Sequence, residues 1–142
     1  YLSLTIACAL GYFAAGMSGF DAITHAFSTV GIGGFSTHDA SMGYFDSPAI
    51  ELVAIVFMVL AGANFSLHFL AWKRRSWSPY GADPEFRTYI TILLGIGVIT
   101  STYLLYYSHF EQPGDNLHHG IFQAISFGTT TGFTTAEFNS WP

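Results

Sequence analysis

The chain has 142 residues, of which 51% are hydrophobic and only 9% charged, and nine acids against four basic residues leave a net charge of −5. An ordinary soluble domain carries about 25% charged residues, so this chain has too few to dress a water-facing surface. The apolar content excludes disorder, the lack of a basic face argues against a nucleic-acid partner, and a lone cysteine, Cys8, excludes an internal disulfide framework and a cysteine-based zinc site.

Residues 1–17, YLSLTIACALGYFAAGM, carry no charge and predict a first membrane helix. It is a little shorter than the roughly 20 apolar residues a span needs. Cys8 is expected there as a small buried hydrophobe. The chain begins at Tyr1 and its first methionine is Met17. It is therefore expected to be a piece of a longer protein, in which a removed targeting signal would not be visible.

A short amphipathic helix follows, with Ala22, Ile23, Ala26, Phe27 and Val30 at helical spacing and Ser18 or Asp21 as its start signal. It leads into the loop GIGGFST, residues 31–37. Residues 49–72, AIELVAIVFMVLAGANFSLHFLAW, predict a second span. Glu51 lies near its end, either as an outer-vestibule charge or as a stabiliser of the helix N-terminus. Asn64 and His68 lie deeper, spaced i, i+4. Such polar residues within a span face the protein interior, either lining an ion path or bonding between helices.

All four basic residues, Lys73, Arg74, Arg75 and Arg87, fall in the segment 73–87, flanked by Trp72 and containing Trp77. Short loops rich in Lys and Arg stay on the cytoplasmic side, and tryptophans mark the interface. Residues 88–108, TYITILLGIGVITSTYLLYYS, are uncharged and form the clearest span, with Tyr103, Tyr106 and Tyr107 suited to the opposite interface. Gly95 and Gly97 are expected to allow close helix packing. Seven acids (Asp21, Asp39, Asp46, Glu51, Glu111, Asp115 and Glu137) lie outside the basic segment. The outer face is then acidic and concentrates cations, unless the acids merely avoid the cytoplasmic loop.

A second short helix, starting at Asp115 or Asn116, carries Leu117, Ile121, Phe122 and Ile125 at helical spacing and ends at the loop GTTTGFTT, residues 128–135. His118 and His119 open it, but adjacent residues point about 100° apart on a helix and are poorly placed to share a metal. They are expected as an interfacial or hydrogen-bonded pair, and His25, His38 and His109 as interfacial.

The two short helices and their loops are copies. With an offset of 98, Ala26 aligns with Ala124, Ser28 with Ser126, Gly34 with Gly132, Phe35 with Phe133 and Thr37 with Thr135, without a gap. Ile23 faces Ile121, Ser36 faces Thr134, and an acid follows each copy, at Asp39 and Glu137. Two spans separate the copies, so both return to the same membrane side. Each helix is too short to span, and irregular backbone inside a bilayer is tolerated only against protein or a water-filled cavity. Such a re-entrant unit suggests a pore lining. A dehydrating cation exchanges its water shell for oxygens, which stacked backbone carbonyls supply. Gly33, Gly34 and Gly132 can take positive φ and turn successive carbonyls to one axis. Thr129, Thr130 and Thr131 can add hydroxyl oxygens, and the helices present negative C-terminal ends to the ion. Loops that merely pack small residues between helices would read similarly. A phosphate loop would need G-x-x-x-x-G-K-[ST], which is absent.

At these residues the chain resembles the TrkH/KtrB family of potassium uptake proteins, in the superfamily that includes plant HKT transporters. Residues 31–37 resemble the filter loop of that family's second repeat and residues 128–135 that of its third. Both also resemble the potassium-channel TVGYG pattern, with Gly34 and Gly132 in the filter-glycine place. The resemblance implies an all-α membrane protein of the bacterial inner membrane, with four such units pseudo-fourfold around one pore. It implies two units here, residues 1–72 and 88–142, joined by the cytoplasmic segment 73–87, with the filter loops towards the outside. By resemblance, oxygens at Ile32, Gly33, Gly34, Thr130, Thr131 and Gly132 coordinate potassium, supported by Gly31, Phe35, Thr129 and Phe133. Potassium is the transported ligand and no cofactor is implied. The implied partners are membrane lipid, a second copy in a homodimer, and a cytoplasmic nucleotide-binding subunit of the TrkA/KtrA kind. Uncoupled passage and symport with protons or sodium both fit. In the family the second helix of the later unit is broken and forms the gating loop, and here it would begin after Pro142. With two of four units the chain alone is not expected to conduct, and GIGG against TTTG makes the ring asymmetric. An intramembrane enzyme would need a nucleophile–base pair or metal cluster at membrane depth, and no H-E-x-x-H occurs. A non-conducting scaffold remains the third class.

Overall fold

The fold is that of a computed structural model describing residues 1–107 and 113–135, with side chains for 1–106 and 118–135. Expectations placed on Tyr107, His109, Glu111, Asp115, Asn116, Leu117 and Glu137 concern side chains outside the described residues. Every regular element among the described residues is helical.

The first unit is a helical hairpin closed by a third helix. α1 (Leu2–Ala14) turns at Gly16, where φ is +108°, into α2 (Gly19–Val30). The Ser18 hydroxyl accepts from the Asp21 amide at 3.1 Å, satisfying one of the free donors of the first turn. Ser18→Ala is expected to cost about 1 kcal/mol, read as a lower thermal transition of the detergent-solubilised full-length protein. α1 and α2 pack through Cys8, Tyr12, Ala22, Ala26 and Val30, all buried, Cys8 as expected. Of the stripe foreseen on α2, Ile23 and Phe27 instead stay exposed, at 54% and 62%. They lie one position round from the Ala22–Ala26–Val30 row. The space beside that row goes to His25, Ser28 and Thr29, two of which bond to neighbouring elements. Thr29 donates to the His25 carbonyl at 2.6 Å and accepts from the Tyr12 hydroxyl at 2.7 Å.

After a 3₁₀ turn (Ser41–Phe45), α3 (Pro48–Gly62) packs on α1 and α2. The single span foreseen over 49–72 is in fact two helices, α3 and α4 (Phe65–Arg74), bent by 96°. Asn64 and His68, read as pore-lining or interhelical groups, stabilise this break. The Asn64 side chain accepts from the Ser66 amide at 3.0 Å and starts α4. His68 Nε2 donates to the carbonyl of Leu60, near the end of α3, at 2.8 Å. Its Nδ1 then accepts from the Tyr80 hydroxyl at 2.6 Å. One ring thus satisfies an end-of-helix carbonyl that a bent chain would otherwise orphan. His68→Leu is expected to cost about 1–3 kcal/mol, visible as a fall in thermal transition that Asn64→Ala only partly reproduces.

Lys73 and Arg74 occupy the last turn of α4, and Arg75 caps it in the left-handed region at φ 47°, where cations complement the helix end. Trp72 and Trp77 are exposed, at 77% and 80%. α5 (Ser78–Ala82) precedes α6 (Pro84–Tyr107). α6 starts earlier than the foreseen 88 because Asp83 Oδ1 accepts from the Phe86 amide at 2.7 Å, so Arg87 lies in its opening turns. It is long and apolar enough to cross a membrane. α7 (Pro113–Gly128) packs along it. Their close approach is at Gly120, where an added Cβ would lie 2.8 Å from Ser101 Oγ and 3.0 Å from its Cα. Gly95 meets nothing and Gly97 only the Ala124 methyl at 4.0 Å, so the glycines singled out for packing are not the ones in close contact.

Candidate functional site

Both loops leave their helices in the same way. In the first, the amides of Gly31, Ile32 and Gly33 bond to the carbonyls of Phe27, Thr29 and Ser28 at 2.8, 3.2 and 2.8 Å. In the second, the amides of Thr129, Thr130 and Thr131 bond to Ile125, Phe127 and Ser126 at 2.8, 2.9 and 2.8 Å. Every one of these bonds recurs at the offset of 98. The Gly132 amide adds a further bond to the Ser126 carbonyl at 3.3 Å.

A trans peptide holds its N–H and C=O on opposite sides, and the described residues contain no cis bond. Amides bonded back to the helix end therefore turn the paired carbonyls of Gly31, Ile32, Thr129, Thr130 and Thr131 away from it. Alternating backbone handedness accompanies this. Ile32 and Gly34 have φ of 53° and 65°, and Thr130 and Gly132 have 62° and 89°, while Gly33 and Thr131 between them are not positive. Gly33, expected to use positive φ, does not. Ile32 does, because every second residue must turn for successive carbonyls to share a side. A β-branched side chain in this region is strained, and such strain persists only where the surroundings enforce it.

The loops touch. The Gly34 backbone lies so close to Thr131 that a Cβ there would collide with the Thr131 carbonyl oxygen, with the carbonyl carbons of Thr131 and Gly132 each 3.1 Å away. A Cβ on Gly132 would meet nothing. The hydroxyls of Thr129 and Thr131, foreseen as extra oxygen donors, are buried and bond to each other at 2.9 Å, and Thr129 also bonds the Ser126 carbonyl at 3.3 Å. The two aromatics differ: Phe133 is fully buried while Phe35 is 81% exposed.

His25, foreseen as interfacial, is fully buried behind the loops. Its Nδ1 lies 2.8 Å from the Asp21 carbonyl, which only accepts, so Nδ1 carries the proton. Burial lowers its pKa, so the ring is neutral and Nε2 accepts from the Ser36 hydroxyl at 3.0 Å. Its face stacks on Phe133 at 6.0 Å. At the mouth, Thr37 donates to Asp21 Oδ1 and Ser18 to Asp21 Oδ2, each at 2.7 Å. These bonds, Thr37 first, hold the Asp21 carboxyl below the usual range. The link is complete above the ordinary carboxylate pKa and is lost as pH falls through the lowered value. The corresponding pair in the second copy is His119 with Thr135, at 2.8 Å. His118 instead faces the buried Glu51 at 2.9 Å, tying α7 to α3. The two histidines thus serve different partners, and Glu51 is an interhelical contact. No cluster of metal-ligating side chains occurs among the described residues. The candidate site is made of backbone groups, which no motif of chemically reactive side chains would have found.

The TrkH family, described as a cation transport protein, matches residues 1–142. The chain is 51% identical over its whole length to the Trk system potassium uptake protein TrkH of Halomonas elongata. It is 44% identical to the protein of the same name from Escherichia coli K12. The crystal structure of the potassium transporter TrkH from Vibrio parahaemolyticus superposes with a TM-score of 0.96 at 49% identity, covering 100% of this chain and 31% of that one. The chain spans 29% of the length of each of the two relatives.

Proposed function

The chain belongs to the TrkH family of cation transport proteins, and on that premise we propose that its paired loops are part of a potassium-selective filter. The carrying observation is the set of amide bonds that recurs 98 residues apart and turns the loop carbonyls away from both helix ends. Carbonyls so presented replace an ion's hydration shell. The ligands are the oxygens of Ile32, Gly33, Gly34, Thr130, Thr131 and Gly132, of which these amide bonds orient the carbonyls of Ile32, Thr130 and Thr131. Gly31, Phe35, Thr129 and Phe133 hold the loops in place. The short helices α2 and α7 end at the loops, so their negative ends add to the field an entering cation meets. No covalent step is required. The relatives are named as potassium uptake proteins rather than enzymes.

In this reading residues 1–72 and 88–142 are two pore units of a larger ring in the bacterial inner membrane. Segment 73–87, holding all four basic residues, faces the cytoplasm, and the filter loops open outward. The family resemblance supports a homodimer, a cytoplasmic nucleotide-binding subunit of the TrkA/KtrA kind, and either uncoupled passage or symport. The test is potassium uptake by the full-length protein in uptake-deficient bacterial cells, with and without Gly132→Ser. Altered potassium-over-sodium discrimination at normal membrane abundance supports the filter. Unchanged rate and discrimination would make the loops packing elements of a scaffold.

A further inference from the structure

The two loops are secured by different means, and a single side chain touches both. In the second loop the Ser126 hydroxyl donates to the Phe133 carbonyl at 2.7 Å, pinning the residue that follows Gly132. Its counterpart in the first loop, Ser28, is buried with its hydroxyl unpartnered, so the Phe35 carbonyl has no such pin. The first loop is instead held through Ser36, which bonds His25. The same ring presents its face to Phe133, and its edge is closed by Phe45 at 5.3 Å. His25 itself cannot swing, because its other nitrogen is fixed to the Asp21 carbonyl one turn back on α2. At the equivalent place the second copy carries Gln123, buried, with both amide atoms unpartnered. A glutamine there neither stacks nor bonds its loop. The bracket is therefore a property of this junction and not of the repeat.

Resting on the filter reading, we propose that His25 is a positioning residue: its ring, held on one loop by Ser36 and on the other by Phe133, sets the spacing between the two filter loops and thereby the discrimination among cations. It touches no ion itself. Its two sides are separable by chemistry. His25→Phe keeps a ring against Phe133 but cannot accept from Ser36 or donate to Asp21. His25→Gln keeps polar atoms but loses the ring.

The experiment measures the potassium-to-sodium uptake ratio of the full-length protein in uptake-deficient cells, with membrane abundance measured in parallel. Each His25 variant is expected to lower the ratio roughly three- to tenfold, the effect of one aromatic contact or one buried hydrogen bond. His25→Gln combined with Phe133→Leu is expected to be no worse than the more severe single change, because both remove the same contact. A native ratio in both His25 variants, beside an altered ratio in Gly132→Ser, overturns the bracket and leaves the filter standing. A native ratio in Gly132→Ser overturns the filter reading itself. Should the buried His25 variants fail to accumulate, Ser36→Ala and Phe133→Leu carry the test, and native ratios in both overturn the bracket.

Discussion

Gly34→Ala is expected to abolish potassium uptake by the full-length protein and to reduce its folded yield. Two independent effects act on one atom. The residue sits at φ +65°, where a Cβ costs about 1–2 kcal/mol. That Cβ would also strike the Thr131 carbonyl oxygen and press on the carbonyl carbons of Thr131 and Gly132. Nothing in the way is a flexible side chain. Relief requires the two loops to separate, and the interiors of proteins transmit such strain rather than absorb it. Together the effects should exceed about 3 kcal/mol, the upper end for a strained backbone residue. The check is a thermal transition of the purified full-length protein alongside uptake. Native uptake and stability would mean that the loops do not touch in the assembled protein.

Gly132→Ser is expected to behave differently, although its position is the counterpart of Gly34 in the repeat. Its φ is +89°, so a side chain is strained, by about 1–3 kcal/mol. Yet a Cβ there meets nothing within 4 Å. The loop can distort without displacing a neighbour, and the helices behind it keep their contacts. The expected result is a protein present at normal abundance whose potassium-over-sodium discrimination falls by about tenfold, with sodium now admitted. The tenfold figure corresponds to about 1.4 kcal/mol, within the strain that the loop must release. Loss of abundance with unchanged discrimination in the surviving protein would place Gly132 in folding rather than in the ion path.

The contrast between these two glycines marks the boundary between what a sequence carries and what a fold adds. Composition alone pointed to a membrane, uncharged apolar runs located α1 and α6, and helical spacing located α2. The offset of 98 anticipated two similar loops after two short helices, and the amide bonds recur at that offset. These features are legible because they are local: helical spacing, a missing charge, a glycine where the chain must turn. The broken helix at Ala63–Asn64 was not legible in this way. No charged residue interrupts the run from α3 into α4, and the bonds of Asn64 to Ser66 and of His68 to Leu60 and Tyr80 make the bend stable.

An all-helical membrane chain built on a repeated short helix and Gly/Thr-rich loop is legible from the residues alone, because those properties reside in their order along the backbone. Tertiary structure alone decided that Ile32 rather than Gly33 takes the left-handed turn, that Phe133 is buried while Phe35 is exposed, and that His25 lies between the loops. The turn at Ile32 follows from amide bonds to the end of α2, while the place of His25 against Phe133 joins residues about a hundred positions apart. A backbone carbonyl's direction is set by where its neighbouring amide finds a partner, and residue identity carries no record of that.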